Sequence, residues 1–368
     1  MNKVPARSCP LGWRAVARFD HPRWPVSAIV LLAIVASVAA CSACGGTSAQ
    51  QPASLTATSA KTGAPSGGSD PGSAGDLQIE LPRPLNPAAT PTASTGTASA
   101  PAEPTRVLLF GDSGTNDDQQ RAVATGMSRH CKAEGCDAAV LVGDIIYPDG
   151  LGSADDPMAS THFEDHYRDL GAPVWLALGN HDYHRDPNAW IARYGTQGSR
   201  AGKFPAHMPA RYYTVQLGAV RLVVLDTNRL DEDQGAWLDA VLREAETRGD
   251  RWVVAAGHHP WRSYGMHRHA EPAMAAFYQR HLCGKIDLFV AGHDHDKQLL
   301  RGPCDVTLVI SGTAGKLRPV GSGDETLFSA SSLGWARLEV RGAEGVLTFH
   351  AADGSVERRA QLQRRWQR

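Results

Sequence analysis

Asp, Asn, Tyr and His gather at five places beyond residue 105, each just after an apolar run that closes on glycine. The runs end FGDSG with Asp112, VGDIIY with Asp144 and Tyr147, LGNHD with Asn180, His181 and Asp182, AGHHP with His258 and His259, and AGHDH with His293 and His295. These are oxygen and imidazole donors with no thiolate among them, a mix that suits a hard or borderline metal ion. A single Gly-Asp is weak evidence, and a lone histidine after a strand is more often a satisfied core residue. Five such tips offer more donors than one tetrahedral ion needs. Asp112, Asp144, Tyr147, Asn180, His258, His293 and His295 fit two ions if one carboxylate bridges them. Two cations about 3.5–4 Å apart can clamp a phosphate and polarise a water for attack on it.

Such a constellation needs elements that deliver the tips to one place. Glycine lets the backbone turn sharply where a strand stops, and ligands of open α/β sheets sit at the carboxyl ends of strands. The apolar runs read as strands: 106–110, 138–142, 174–178, 221–226, 252–257, 287–292, 307–312, 336–340 and 346–350. Several are apolar throughout, as strands buried on both faces are. Between them, 117–130, 234–248 and 271–282 have helical patterning, and Asp186-Pro187 reads as an N-cap followed by proline at the first helical position. The later strands follow one another closely enough to be hairpins. The sum is an α/β fold around mixed β-sheet, with no internal repeat.

The rest of the 368-residue chain is of a different kind. Residues 1–25 carry Lys3, Arg7, Arg14, Arg18 and Arg23 against one acid, Asp20. The apolar run VSAIVLLAIVASVAAC follows, shorter than the roughly 20 residues a spanning helix needs. Its last four residues, Val38-Ala39-Ala40-Cys41, resemble a bacterial lipobox. The expectation is a lipoprotein-type signal at 1–41, with export and lipid attachment at Cys41; a plain signal peptide or a short anchor would also export the domain. Residues 42–104 are rich in Ser, Thr, Pro, Ala and Gly and cannot bury enough apolar surface to order themselves, so a tether is expected, reaching roughly 40 Å as a coil. The folded domain is expected at 105–365. A net charge of −1 points to no nucleic-acid partner. Of seven cysteines, Cys131, Cys136, Cys283 and Cys304 lie in the domain. Four cysteines allow three connectivities, of which 131–136 with 283–304 is the expectation.

Taken in order, GD-x-G, GD-xx-Y, GNHD, GH and GHDH resemble the calcineurin-like metallophosphoesterases, and within them the purple acid phosphatases of the small tartrate-resistant type. FEDHY before GNHD, LDT after the fourth strand, GHHPWRS and GHDHDKQ strengthen the likeness, which covers essentially the whole domain. The resemblance implies a four-layer αββα sandwich of two mixed sheets flanked by helices. It implies that Asp112, Tyr147 and His295 hold a first metal, that Asn180, His258 and His293 hold a second, and that Asp144 bridges. His181 would stabilise charge on the phosphoryl oxygens, and His267 would protonate the leaving group. Most of the family begin D-x-H, and that His binds the first metal; here the stretch is Asp112-Ser113-Gly114, so the phenol of Tyr147 fills the gap. A phenolate favours Fe(III), with Fe(II), Zn(II) or Mn(II) at the second site. Ser113 stands where the family usually has Trp, and Ile145 where it often has Asn. The chain also passes from LDTNRL to its next helix in a few residues, without the cleavable loop of the animal enzymes.

The implied function is an exported, lipid-anchored phosphatase facing the periplasm or exterior. It would hydrolyse phosphomonoesters, small-molecule or phosphoprotein, at acidic pH through a water activated by two metals. A phosphodiesterase, pyrophosphatase or nucleotidase on the same fold is the alternative, and a non-catalytic surface-binding lipoprotein a further one. A monomer is expected. GDSG also surrounds the nucleophile of trypsin-like proteases, but no His and Asp precede it here in the needed order. His162, His166, His184 and His269 read as surface or rim residues, and His259 as a group that touches substrate or packs.

Overall fold

The computed structural model describes residues 103–195, 204–250 and 252–364. The expected leader and nearly all of the expected tether lie outside these residues. Every apolar run named above forms a strand. In chain order the strands are β1 (Thr105–Phe110), β2 (Ala138–Val142), β3 (Val174–Ala177), β4 (Ala206–His207), β5 (Tyr213–Leu217), β6 (Val220–Val224), β7 (Trp252–Ala256), β8 (Leu288–Ala291), β9 (Lys297–Arg301), β10 (Thr307–Ser311), β11 (Thr326–Ala330), β12 (Gly334–Arg341), β13 (Glu344–Ala351) and β14 (Val356–Gln363).

These strands form two seven-stranded sheets, ordered β14-β13-β12-β1-β2-β3-β4 and β11-β9-β10-β8-β7-β6-β5. In the first, β1 through β4 run parallel and β12 to β14 antiparallel. In the second, β6, β7, β8 and β10 run parallel, with β5, β9 and β11 antiparallel. Both sheets are therefore mixed, and the carboxyl ends of each parallel set share one edge.

Side-chain alternation along a strand assigns the layers. Val107 and Leu109 of β1 join Val140, Leu222, Val254 and Val290 in a core between the sheets. Leu108 and Phe110 join Val123, Met127, Phe163 and Trp190 on the helix side. On the second sheet, Val223, Val253, Phe289 and Ile310 pack with Leu238, Leu242, Tyr278 and Leu282. Helix, sheet, sheet, helix is the αββα sandwich that the resemblance implies.

The helices are α1 (Asp118–Glu134), α2 (Asp165–Tyr167, running on from a π-helical turn at Ala159–Glu164), α3 (Pro187–Tyr194), α4 (Glu232–Arg248) and α5 (Pro272–Leu282). Their starts are chemically marked. Asp117 accepts from the backbone N–H groups of Gln119 and Gln120, Asp231 from Gln234, and Asp186 from Asn188 with Pro187 at the first position. Each such cap stabilises its helix by about 1 kcal/mol. The turn at 159–167 had no clear periodicity to betray it. Cys131–Cys136 closes the end of α1, and Cys283–Cys304 ties the end of α5 to the turn before β10, the expected pairing.

Candidate metal centre

Three of the strand tips turn on backbone that ordinary residues avoid. Asp112, Asp144 and His293 have φ of 58°, 51° and 68°, in the left-handed region that costs a side-chain-bearing residue energy and recurs at functional sites. The glycine before Asp144 is required twice over. Gly143 has φ of 90°, and a Cβ there would lie 2.6 Å from His258 Nδ1 and 2.7 Å from Gly179 N. Close backbone approach lets the tips hydrogen-bond one another: Asp112 N donates to Gly143 O at 3.1 Å, Gly292 N to His258 O at 3.1 Å, and Tyr147 N to Gly114 O at 2.9 Å.

The side chains then converge. One donor atom each from Asp112, Asp144 and His295 lies within 4.8 Å of the others. Tyr147 Oη sits among them, 2.8 Å from Asp144 Oδ2, 3.1 Å from Asp112 Oδ1 and 3.3 Å from His295 Nε2. Asp144 turns its other oxygen to a second group, with Oδ1 3.4 Å from His258 Nε2. His258 Nε2 is 3.0 Å from Asn180 Oδ1 and 3.2 Å from His293 Nδ1. All seven residues singled out as ligands meet in this one place. Asp112, Asp144 and His258 are buried, at 0%, 1% and 0% exposure, so the groups cannot rely on water for their charge.

The electrostatics follow from that burial. Burial, reinforced by the charge of Asp144, pushes the Asp112 carboxyl well above the usual carboxylate range. Burial would also raise Asp144, but the charge of His258 and hydrogen bonds from His258 and His181 N override it and hold Asp144 well below that range. His258 is held up at about 9, against burial, by Asp144. Burial and both carboxylates push the Tyr147 phenol well up. Burial brings His295 down to about 3, with help from Arg318 and Lys316, and depresses His293 strongly, with help from His258. A polyvalent cation favours carboxylate and phenolate and binds unprotonated imidazole. The donor set fits such ions: lone pairs of O and N aimed inward, and ring tautomers fixed from outside. His258 Nδ1 donates to Val142 O at 2.9 Å, which leaves Nε2 free to face the centre.

The two residues expected to act on substrate flank the cluster. His181 donates from Nδ1 to Pro148 O at 2.5 Å. Its ring stands edge-on to Tyr147 at 4.6 Å, with Nε2 4.0 Å from Asp144 Oδ2. His267 lies on the other side, its ring 4.0 Å from that of His293. Arg318 Nη1 is 2.8 Å from His267 Nε2. Arginine is donor-only, so His267 accepts there, and in this arrangement that nitrogen has no proton to give. His259 packs: its Nδ1 is 2.8 Å from Thr227 Oγ1 and its ring lies 4.5 Å from His293. His162, His166 and His269 make local contacts, with Thr161, Asn116 and Ser263 N respectively, and His184 meets Asp149 with its ring 4.8 Å from that of His181, on the rim. Ser113 is buried with no imidazole on its hydroxyl, which removes the protease reading of GDSG. Ile145 packs into the helix-side core.

Four positioning groups were not read from the sequence. Asp182 is fully buried and accepts from Gly179 N at 2.8 Å and Ile145 N at 3.2 Å, clasping two tips together. Thr227 Oγ1 accepts from His258 N at 3.2 Å and His259 N at 3.1 Å. Asp294 accepts from Ser263 Oγ and, at 2.8 Å, from His267 N. The loop after β10 brings Lys316 Nζ to 3.5 Å from the centre of the Tyr147 ring. Three of them stood inside quoted motifs, Asp182 in GNHD, Thr227 in LDT and Asp294 in GHDH, and only Lys316 had no such signal.

Comparison with known proteins agrees with this geometry. Residues 105–297 match the model of the calcineurin-like phosphoesterase family. The chain is similar to Purple acid phosphatase 4 of Arabidopsis thaliana, 27% identical over 213 residues, covering 51% of this chain and 61% of the relative. It is 26% identical over 316 residues to Tartrate-resistant acid phosphatase type 5 of Sus scrofa, covering 74% of this chain and 90% of that one. Among solved structures, the purple acid phosphatase PPD1 from yellow lupin superposes with a TM-score of 0.56 at 16% identity, covering 72% of this chain and 55% of the lupin chain, a likeness of fold.

Proposed function

The chain belongs to the calcineurin-like phosphoesterase family and is acid phosphatase-like and metal-dependent; we propose that it hydrolyses phosphomonoesters with two metal ions, in acid, as an exported lipid-anchored protein. The observation that carries the reading is the meeting of Asp112, Asp144 and His295 around Tyr147 Oη. We assign Asp112, Tyr147 and His295 to the first ion and Asn180, His258 and His293 to the second. Asp144 suits the bridge because its two oxygens face the two groups. The phenol argues for Fe(III) at the first site, with Fe(II), Zn(II) or Mn(II) at the second.

When bound, the two ions supply the charge that acidifies a water and neutralises phosphoryl oxygens. The residues of the chain do the rest. Val142 O and Pro148 O fix the orientations of His258 and His181. Once protonated, His181 can donate from Nε2 to a phosphoryl oxygen beside Asp144, a contact of the kind whose loss costs roughly 10²–10³ in kcat. Asp182 and Thr227 hold the tips in register, so the donors do not reorganise as charge develops. The export proposal rests on the basic flank, the apolar run and Cys41.

Metal analysis of the purified protein, with turnover of an aryl monophosphate and of its diaryl ester at mildly acidic pH, tests the reading. Two ions per chain and preference for the monoester are expected. Protein that takes up both metals yet cleaves neither ester overturns it.

A further inference from the structure

The loop after β10 carries no metal-type residue, yet it lies across the whole centre. Its backbone is fastened to two of the tips and to a neighbouring loop. Ala314 N donates to Gly111 O at 3.2 Å, Arg318 N to His295 O at 2.8 Å, and Ser331 Oγ to Arg318 O at 2.7 Å. Fastened this way, one tripeptide sends a cation to each side of the cluster. Lys316 lies over the Tyr147 ring, a cation–π contact. Arg318 reaches His267 on the far side. Both are half-buried, while the intervening Leu317 and Met266, the residue before His267, stand exposed at 41% and 61%.

Neither cation forms an ion pair among the described residues; the nearby carboxylates, Asp144 and Asp112, act on Lys316 only at longer range. Arg318 spends one N–H on a ring nitrogen, and among the described residues the rest of its planar, permanently charged fork has no side-chain partner. Such a fork matches a phosphate bidentately. If His267 faces the leaving group, as the resemblance implies, Arg318 stands beside that group's path.

Resting on the phosphoesterase reading above, we propose that Arg318, assisted by Lys316, is a subsite for a second phosphate carried by the leaving group, so that this enzyme selects diphosphates and closely spaced bisphosphates. Hydrolysis of a diphosphate here breaks the bridging P–O bond. The water oxygen joins the transferred phosphorus, the bridging oxygen leaves with the second phosphate, and the two water protons end one on each product. Arg318 holds the departing group by charge, in the position where His267 has its nitrogen engaged.

The test compares metal-loaded wild type with Arg318→Ala and Arg318→Lys, using inorganic pyrophosphate and phenyl phosphate as substrates and calorimetric binding of methylenediphosphonate as a second readout. The ratio of kcat/KM for pyrophosphate to that for phenyl phosphate is expected to fall about 10- to 100-fold in Arg318→Ala. Diphosphonate affinity should weaken by a similar factor, and Arg318→Lys should recover part of both. Lys316→Ala is expected to move the ratio in the same direction by less. A ratio and a diphosphonate affinity unchanged in Arg318→Ala overturn the subsite and leave the phosphoesterase reading standing. Wild type that hydrolyses neither substrate overturns both.

Discussion

Asp182 offers the sharpest test of how the centre is held. Its carboxylate lies wholly inside the protein and touches no candidate ligand atom through a metal. It accepts instead from the backbone N–H of Gly179, just before Asn180, and of Ile145, just after Asp144. Replacing it with Ala orphans two buried N–H groups. Each costs about 1–3 kcal/mol when left without a partner, so Asp182→Ala should lose about 2–6 kcal/mol of stability. Asp182→Asn should lose far less. Oδ2 is within 2.8 Å of Gly179 N and 3.2 Å of Ile145 N, so an amide oxygen in its place serves both. Burial and the charge of Asp144 already hold Asp182 up at about 8, so the exchange removes little charge. Function should follow geometry. With the clasp gone, Asn180 and Asp144 drift apart, and metal affinity should drop about 10- to 100-fold, as when a partner behind a ligand is removed. Urea unfolding of both variants, with metal content after dialysis against a graded chelator, reads both effects. If the Ala variant matches the Asn variant in midpoint and metal retention, the clasp is not what aligns the tips.

Two further outcomes are expected. Tyr147→Phe removes the phenol from between Asp112 and Asp144 and should abolish any visible absorption band of the iron-loaded protein; a band that survives means that Tyr147 is not bound to the iron. Glu164, the last residue of the π-helical turn before α2, accepts from Arg193 Nη2 at 2.8 Å, Tyr194 Oη at 2.8 Å and Ser160 Oγ at 2.9 Å. Burial would raise it, but these donors hold it below its ordinary value of 4.5. A carboxyl depressed in the folded state adds stability that is present above pH 4.5 and fades as pH falls through the folded value. The stability gap between wild type and Glu164→Gln should therefore shrink on acidification, as urea midpoints across that range would reveal; a gap constant with pH counts against it.

What the sequence displayed and what it hid divide along a physical line. The ligand tips were legible because strand, turn and donor are consecutive residues. An apolar run such as Ala138–Val142 can only be buried, glycine marks the turn, and the donor comes next. Of the five strands that escaped notice, β4, β5, β9, β11 and β14, two contradict that rule. β14 reads Val-Glu-Arg-Arg-Ala and lies at a sheet edge, where exposed charge is favoured because it blocks further pairing. β9 begins with Lys297, a lysine at 0% exposure that donates to His350 O at 3.0 Å and pairs with Glu357, so its polarity concealed its burial. The positioning groups were illegible for a different reason. Thr227 meets His258 across 31 residues of chain, and His267 meets Arg318 across 51. No local pattern encodes such a pair; only the side-by-side order of strands in the second sheet makes it.

The stacking of the two sheets explains why the centre can be strained at all. Asp112, Asp144 and His293 adopt left-handed backbone, and two carboxylates share a dry site, each choice unfavourable alone. Three apolar layers, one between the sheets and one on each outer face, fix the strand ends from which these residues project. With the ends fixed, the tips cannot relax by separating, and ion binding is the remaining way to relieve the crowded charge. The folded core and the affinity of the centre are therefore coupled. A cavity made in the helix-side core, as by Phe110→Ala two residues before Asp112, should cost about 3–5 kcal/mol of stability and should also loosen metal retention, measured with the same chelator series. Loss of stability with undiminished retention would show that the tips hold their own geometry.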